Sequence, residues 1–312
     1  LRFLRPGSVI LLFLFCRNIY SQSTVITDSI INMYSKVISL QSSVNTDPDS
    51  VYVEDASVFN MREVALFIIT KGADIYTNGS LQGSVENMNN TGKYVLIFID
   101  TVDYNNNLVI FNSSFPDNFS INSGAGAQLV TVPRFKNATI SDKLTCKAWD
   151  TDSGTGGVAA LIVDGILELQ GNIDVSGKGF LGASSGNENY EGGCSSIDPG
   201  YTFGFFSASA KDSAAFKGGS IVSNNFLYPR GRTAFGNGGG GGNARFSGGG
   251  GGSNAGVGGK GGYELNSCAP GNDMGGIGGS ALYPTFYSNS GEYGNRIYMG
   301  GGGGAGTQNI DQ

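Results

Sequence analysis

Apolar residues in this chain recur in short runs, and no stretch beyond the first segment sustains a period of 3.6. The pattern therefore predicts strands rather than helices. Residues 51–53, 64–70, 108–111, 128–132 and 143–148 read as strands. Residues 93–100 form a continuous apolar run and read as a strand buried on both faces. Asn105-Asn106-Asn107 and Pro116-Asp117 are turn material. Residues 23–50 are polar and read as a leader carrying one strand. From residue 157 the texture changes. Residues 158–163 read as a buried strand, and Asp164-Gly165 signals a hairpin turn. Residues 166–170 and 173–176 alternate weakly, and Gly165, Gly171 and Gly177 fall six residues apart. That spacing suits a sheet edge or the first coils of a β-solenoid.

Beyond residue 171 the apolar pattern gives way to glycine. Three runs of five glycines occupy residues 238–242, 248–252 and 300–304, flanked in the first two by Asn237, Asn243, Ser247 and Ser253. Such runs bury no side chain and lose the most backbone entropy on folding. Tyr and Phe are nevertheless spread through the same stretch, from Phe180 to Tyr298, whereas disordered spacers are poor in aromatics. The combination predicts ordered loops in which extended glycine backbones pack on one another, as only Gly fits the crowded axis of collagen. No strict three-residue repeat is present, so the chain is not collagen. The expected fold is all-β: a β-sandwich or short β-solenoid followed by ordered glycine-rich loops.

The first segment differs from the rest. Arg2 and Arg5 precede an apolar run at residues 9–15, too short to span a bilayer. It reads as a signal peptide cleaved near Ser21-Gln22. The expected divisions are a signal peptide at 1–22, a β-rich N-terminal domain at 23–156 and a glycine-rich β domain at 157–304. Residues 305–312 read as the start of a further segment or a truncated end. The expected location is the cell surface, outside the outer membrane, with no membrane span once the signal is removed.

Charge narrows the partners. The formal charge is −6, and removing Arg2, Arg5 and Arg17 with the signal leaves 16 basic against 25 acidic residues. Nucleic acid and anionic membrane call for clustered Lys and Arg, which the chain lacks. It also has no His, which excludes a Ser-His-Asp triad, a Cys-His pair and any His-bound metal within it. Asp150 and Asp152 are candidate calcium ligands, though the EF-hand spacing fails because Thr155 and Leu161 stand where Gly and Glu belong. Asp142, Asp164, Glu168 and Asp174 are the carboxylates that a polysaccharide-cleaving solenoid would use. They are equally the solvent-facing residues of alternating strands. After signal removal Cys146, Cys194 and Cys268 remain. Alternation places Cys146 on the apolar face of its strand as a buried thiol. A Cys194–Cys268 disulfide would close a loop of 74 residues, with Cys146–Cys194 or no bridge as the alternatives. Closing such a loop is worth roughly 4–5 kcal/mol by chain entropy.

Residues 132–135 (Val-Pro-Arg-Phe), 138–140 (Ala-Thr-Ile), Ala148-Trp149, residues 155–158 (Thr-Gly-Gly-Val) and residues 171–180 follow one another in an order found elsewhere. This order resembles glycine-rich surface proteins of Bacteroidota and myxobacteria, which include very large gliding-motility adhesins exported by the type 9 system. The resemblance covers roughly residues 45–304. It implies a secreted, non-catalytic domain for surface attachment or gliding. Polysaccharide or another surface would be its partner, with outer-membrane secretion or motility proteins as further partners. No cofactor is expected beyond the calcium considered above. The residues expected to touch a ligand are Phe235, Phe246, Tyr263, Tyr287, Tyr293 and Tyr298. The alternatives are a structural cap, spacer or docking domain of a long surface fibre, or the polysaccharide-cleaving solenoid.

Overall fold

The fold is taken from a computed structural model of the chain. The structure describes residues 23–41, 49–116, 119–184, 204–205, 207–209, 214–243, 246–263, 273–282 and 296–307. These residues contain no helix and are all-β. The first strands are β1 (Thr24–Ile26), β2 (Tyr34–Gln41), β3 (Ser50–Val53), β4 (Val64–Lys71), β5 (Asp74–Ile75) and β6 (Val85–Asn87). They are followed by β7 (Tyr94–Asp103), β8 (Leu108–Phe111), β9 (Gly126–Val132), β10 (Arg134–Phe135), β11 (Ala138–Ile140), β12 (Ile162–Val163) and β13 (Leu167–Leu169). The expected signal peptide lies outside the described residues.

Six antiparallel strands close into a barrel in the order β2-β3-β8-β7-β4-β9. Alternation sends Ala65, Phe67 and Ile69 of β4 inward with Ile97, Ile99, Val109, Phe111 and Leu129. Phe67, Phe111, Phe115 and Phe119 fill the interior, with ring centroids 5.1–5.3 Å apart. The run at 93–100 does not become a strand buried on both faces. In β7 only Ile97, Ile99 and Val102 are buried, while Leu96 and Phe98 point outward and are exposed. The doubly buried strand is β4. Its outward residues Val64, Leu66 and Ile68 pack with Val158, Ala160 and Ile162. A barrel strand has an outside, and this cover determines which strand loses it.

The barrel is inserted into a short parallel solenoid. β1, β11 and β13 stack in parallel, pairing Thr24 with Ala138 and Ala138 with Leu167. Arg134 pairs with Ile162, and Leu144 with Ile173, so one turn takes 28 or 29 residues. Asp164-Gly165 is accordingly a corner of this stack and not a hairpin turn, because β12 and β13 pair with β10 and β11 instead of with each other. Arg134 holds the corner through Asp164 at 2.8 Å, and Ile166 N donates to Asn137 Oδ1 at 2.8 Å. The next corner needs Gly171, since a Cβ there would lie 2.0 Å from Asp142 O. The stack runs across residue 157. Cys146 lies within it as a buried free thiol, and burial pushes its pKa up.

Residues 156–160 are fastened to the barrel by side chains, at every second residue. Gln128 Nε2 donates to Gly156 O at 2.9 Å, and Gly156 N donates to Gln128 Oε1 at 2.8 Å. Tyr34 OH donates to Val158 O at 2.6 Å. Asn32 Nδ2 donates to Ala160 O at 2.7 Å, and Ala160 N returns a bond to Asn32 Oδ1 at 3.0 Å. Asn32 and Gln128 are buried, so each amide satisfies a peptide that water cannot reach.

The glycine runs are ordered and bonded to one another. Gly239 N donates to Gly302 O and Gly242 N to Ala305 O, both at 2.9 Å. Gly258 N donates to Gly279 O and Gly261 N to Gly276 O, at 2.9 and 2.8 Å. In each pair both partners advance or retreat by three residues. That step is the turn of the polyproline II helix, which makes no internal bonds and leaves every peptide for its neighbours. The result is a lattice of extended backbones. A Cβ at Gly302 would sit 1.9 Å from Leu181 O, and one at Gly304 would sit 2.0 Å from Gly240 O. Around Gly259 the space is open. Gly302→Ala should therefore lose about 2–3 kcal/mol through overpacking, whereas Gly259→Ala should stay within about 0.5 kcal/mol of the parent. Urea unfolding of both variants tests the lattice, and equal stabilities would contradict it.

Candidate functional site

The most built surface feature is a cluster of rings where the lattice meets solvent. Residues 223–229 leave the lattice as a loop and carry Phe226, Leu227 and Tyr228. Phe226 packs edge-on against Phe205 at 5.1 Å and against Tyr228 at 5.7 Å, and lies 5.2 Å from Phe235. Leu227 is 75% exposed and Tyr228 47% exposed, so the outer face of the cluster is open.

Two buried cations support it. Lys217 Nζ donates to Gly204 O, to Gly231 O and Thr233 O at 2.8 Å each, and to Thr233 Oγ1 at 3.0 Å. It also lies 4.7 Å from the centre of the Phe205 ring. Burial pushes its pKa well below the usual lysine range. The oxygen cage and the ring face oppose that push by favouring the ammonium. Arg230 stacks on Phe216 at 3.6 Å and donates to Ala208 O and Ala214 O at 3.0 and 2.8 Å. Phe205 thus rests on a side chain locked by backbone oxygens, which stiffens the platform.

The residues that border the glycine runs anchor the same region. Asn237 is fully buried. It accepts from Ile221 N at 3.0 Å and donates to Met299 O at 2.9 Å. Ser253 Oγ donates to Ser280 O at 2.5 Å. The sequence marked these residues only as polar neighbours of glycine.

The expected contact residues separate. Phe235 belongs to the platform. Tyr263 is exposed beside Lys260, and Phe246 is half-buried with a positive φ of 56°. Tyr298 is buried with Trp149, Phe180 and Met299, away from the platform rings, and lines an apolar groove. Tyr287, Tyr293, Cys194 and Cys268 lie outside the described residues. Phe226, Leu227 and Tyr228 were not singled out in advance, because spacing in a loop does not tell which rings face water.

The carboxylates are not drawn together. Asp164 pairs with Arg134, and Asp174 pairs with Lys143 at 2.6 Å. That lysine and the Ser176 amide hold the Asp174 carboxyl far below the usual range. Glu168 lies exposed on β13 and accepts from Gln170 at 3.1 Å. Asp142 caps the adjacent Lys143 amide. Asp150 closes its own turn, accepting from Asp152 N at 3.0 Å and from Ser153 Oγ at 2.9 Å, which lowers its pKa. Among the described residues no three His, Cys, Asp or Glu side chains gather to hold a metal. An apolar groove of about 680 Å³ separates the barrel from residues 297–300, and no charged residue lines it.

No family model, curated protein or solved structure matches this chain.

Replacing Lys217 by Met should remove the donor to three backbone carbonyls while keeping its length. We expect a loss of about 2–4 kcal/mol, read as a lower midpoint in thermal or urea unfolding. An unchanged midpoint would show that the cage does not hold the region.

Proposed function

We infer that this is a non-catalytic attachment domain of the cell surface, of the kind found in gliding-motility adhesins. The observation that supports it is the rigid aromatic platform carried by the bonded glycine lattice. Rings packed on one another, with Phe205 held from beneath by Lys217, lose little side-chain freedom on contact, so their area converts efficiently into affinity. The motif order described above adds the resemblance to exported, glycine-rich surface proteins. Polysaccharide or another extracellular surface is the partner in this reading. A passive spacer would have no use for an exposed, pre-organised cluster of rings. Catalysis finds less support, because Asp164 and Asp174 are each tied to a cation.

Purified chain should adsorb to glass, agar or cell-wall material well above an albumin control. Adsorption to none of these, together with capture of an outer-membrane protein from an extract, would favour the docking role. Release of reducing sugar from mixed polysaccharides that vanishes in Glu168→Gln would overturn the non-catalytic reading.

A further inference from the structure

We propose that the platform binds a neutral glycan, with a sugar ring stacked on Tyr228 beside Leu227 and its hydroxyls met by Asn224 and Asn225. The inference rests on the attachment reading and names the ligand class. An aromatic face is electron-rich and takes the positive edge of C–H bonds, which a pyranose presents on its apolar face. Tyr228 offers such a face, fixed by Phe226 at 72° between ring planes.

The polar rim is uncharged. Asn224 and Asn225 are exposed on the same loop as the rings. Asn224 Oδ1 accepts from Lys71 at 3.3 Å, and Asn225 Nδ2 donates to Ser123 Oγ at 3.2 Å. Those bonds leave Asn224 Nδ2 as a donor and Asn225 Oδ1 as an acceptor for hydroxyl groups, with no other partner among the described residues. Neighbouring hydroxyls of a sugar supply both roles.

Charge decides between a neutral and an acidic glycan. Residues 214–263 contain Lys217, Arg230, Arg232, Arg245 and Lys260 and no Asp or Glu, which at first suggests an anion site. Arg245 lies outside the described residues, and the other four are each engaged by groups of the protein itself. Lys217 and Arg230 are buried on carbonyl oxygens. Arg232 and Lys260 share Asp273. Lys71 is turned to Asn224. Among the described residues the exposed ring and the two asparagines offer stacking and uncharged hydrogen bonds, the groups that a neutral glycan uses.

Affinity electrophoresis of the full chain tests this, with gels holding a β-glucan, a galactomannan, alginate or polygalacturonate. We expect retardation by a neutral polymer that is the same at low salt and at about 0.5 M NaCl, where exposed charges are screened. Tyr228→Ala should weaken it about tenfold, and Leu227→Ser should weaken it less. Both positions are exposed, and near-ultraviolet circular dichroism with melting verifies that the variants fold. Retardation by the acidic polymers alone, abolished by salt, overturns the proposal. So does neutral-glycan binding that Tyr228→Ala leaves unchanged. Adsorption to glass without neutral-glycan binding overturns it while the attachment reading stands, and adsorption to nothing removes both.

Discussion

The structure depends on one steric constraint: neighbouring backbones in the lattice touch where a Cβ would be. A methyl group at Gly276 would lie 1.9 Å from Gly240 O, and one at Gly249 would lie 2.0 Å from Gly304 O. Removing every side chain from those contacts brings peptide groups of different segments into direct hydrogen bonding. It also removes the hydrophobic gain that normally offsets the entropy of ordering a chain, and glycine has the most entropy to lose. A lattice of this kind must therefore be fastened at its margins.

The margins are where the side chains are. Ala73, Trp149, Phe180, Ile221, Leu282 and Met299 form one buried cluster. It draws on the barrel's flank, the end of the solenoid and the lattice. Trp149 meets Phe180 edge-on at 5.1 Å, and Phe180 N donates to Gly300 O at 2.9 Å. Asn237 and Ser253 are buried polar terminators that bond segments distant in sequence. Burying each large apolar side chain of the cluster is worth about 1.5–3 kcal/mol, a gain that the glycines themselves lack. The barrel and solenoid thus act as the wall against which the lattice orders.

Legibility in the sequence follows the range of the interactions. The barrel strands were readable because each is a local apolar run, although the pairing of strands such as β2 with β9, Tyr34 against Val130, was not. Which strand is covered on both faces was not, because the cover of β4 comes from residues about ninety positions away, at 158–162. The parallel stack was only hinted at by the spacing of Gly165, Gly171 and Gly177, since its partners lie 28 or 29 residues apart and the Asp-Gly pair mimics a hairpin. Order in the glycine runs was readable from the aromatics among them. Their bonding step of three was not, because the partners come from separate segments. The platform's rings were visible as composition, whereas the exposure of Tyr228 and the burial of Tyr298 are tertiary facts.

The buried cations follow from the same lattice. A carbonyl oxygen has two lone pairs, while each non-proline residue supplies one N–H. A carbonyl can therefore take a second donor beside an amide, as Gly231 O does from Gly241 N and from Lys217 Nζ. Lys217 and Arg230 bring donors to backbone oxygens. Each carbonyl carries only a partial negative charge, so around Lys217 several together take the place of the carboxylate that a buried cation otherwise requires. This accounts for a buried lysine held on oxygen atoms of the chain in an otherwise acidic protein. It also fixes the character of the surface above them. The ammonium held among backbone oxygens stiffens Phe205 from below, and Phe226 and Tyr228 pack on that ring.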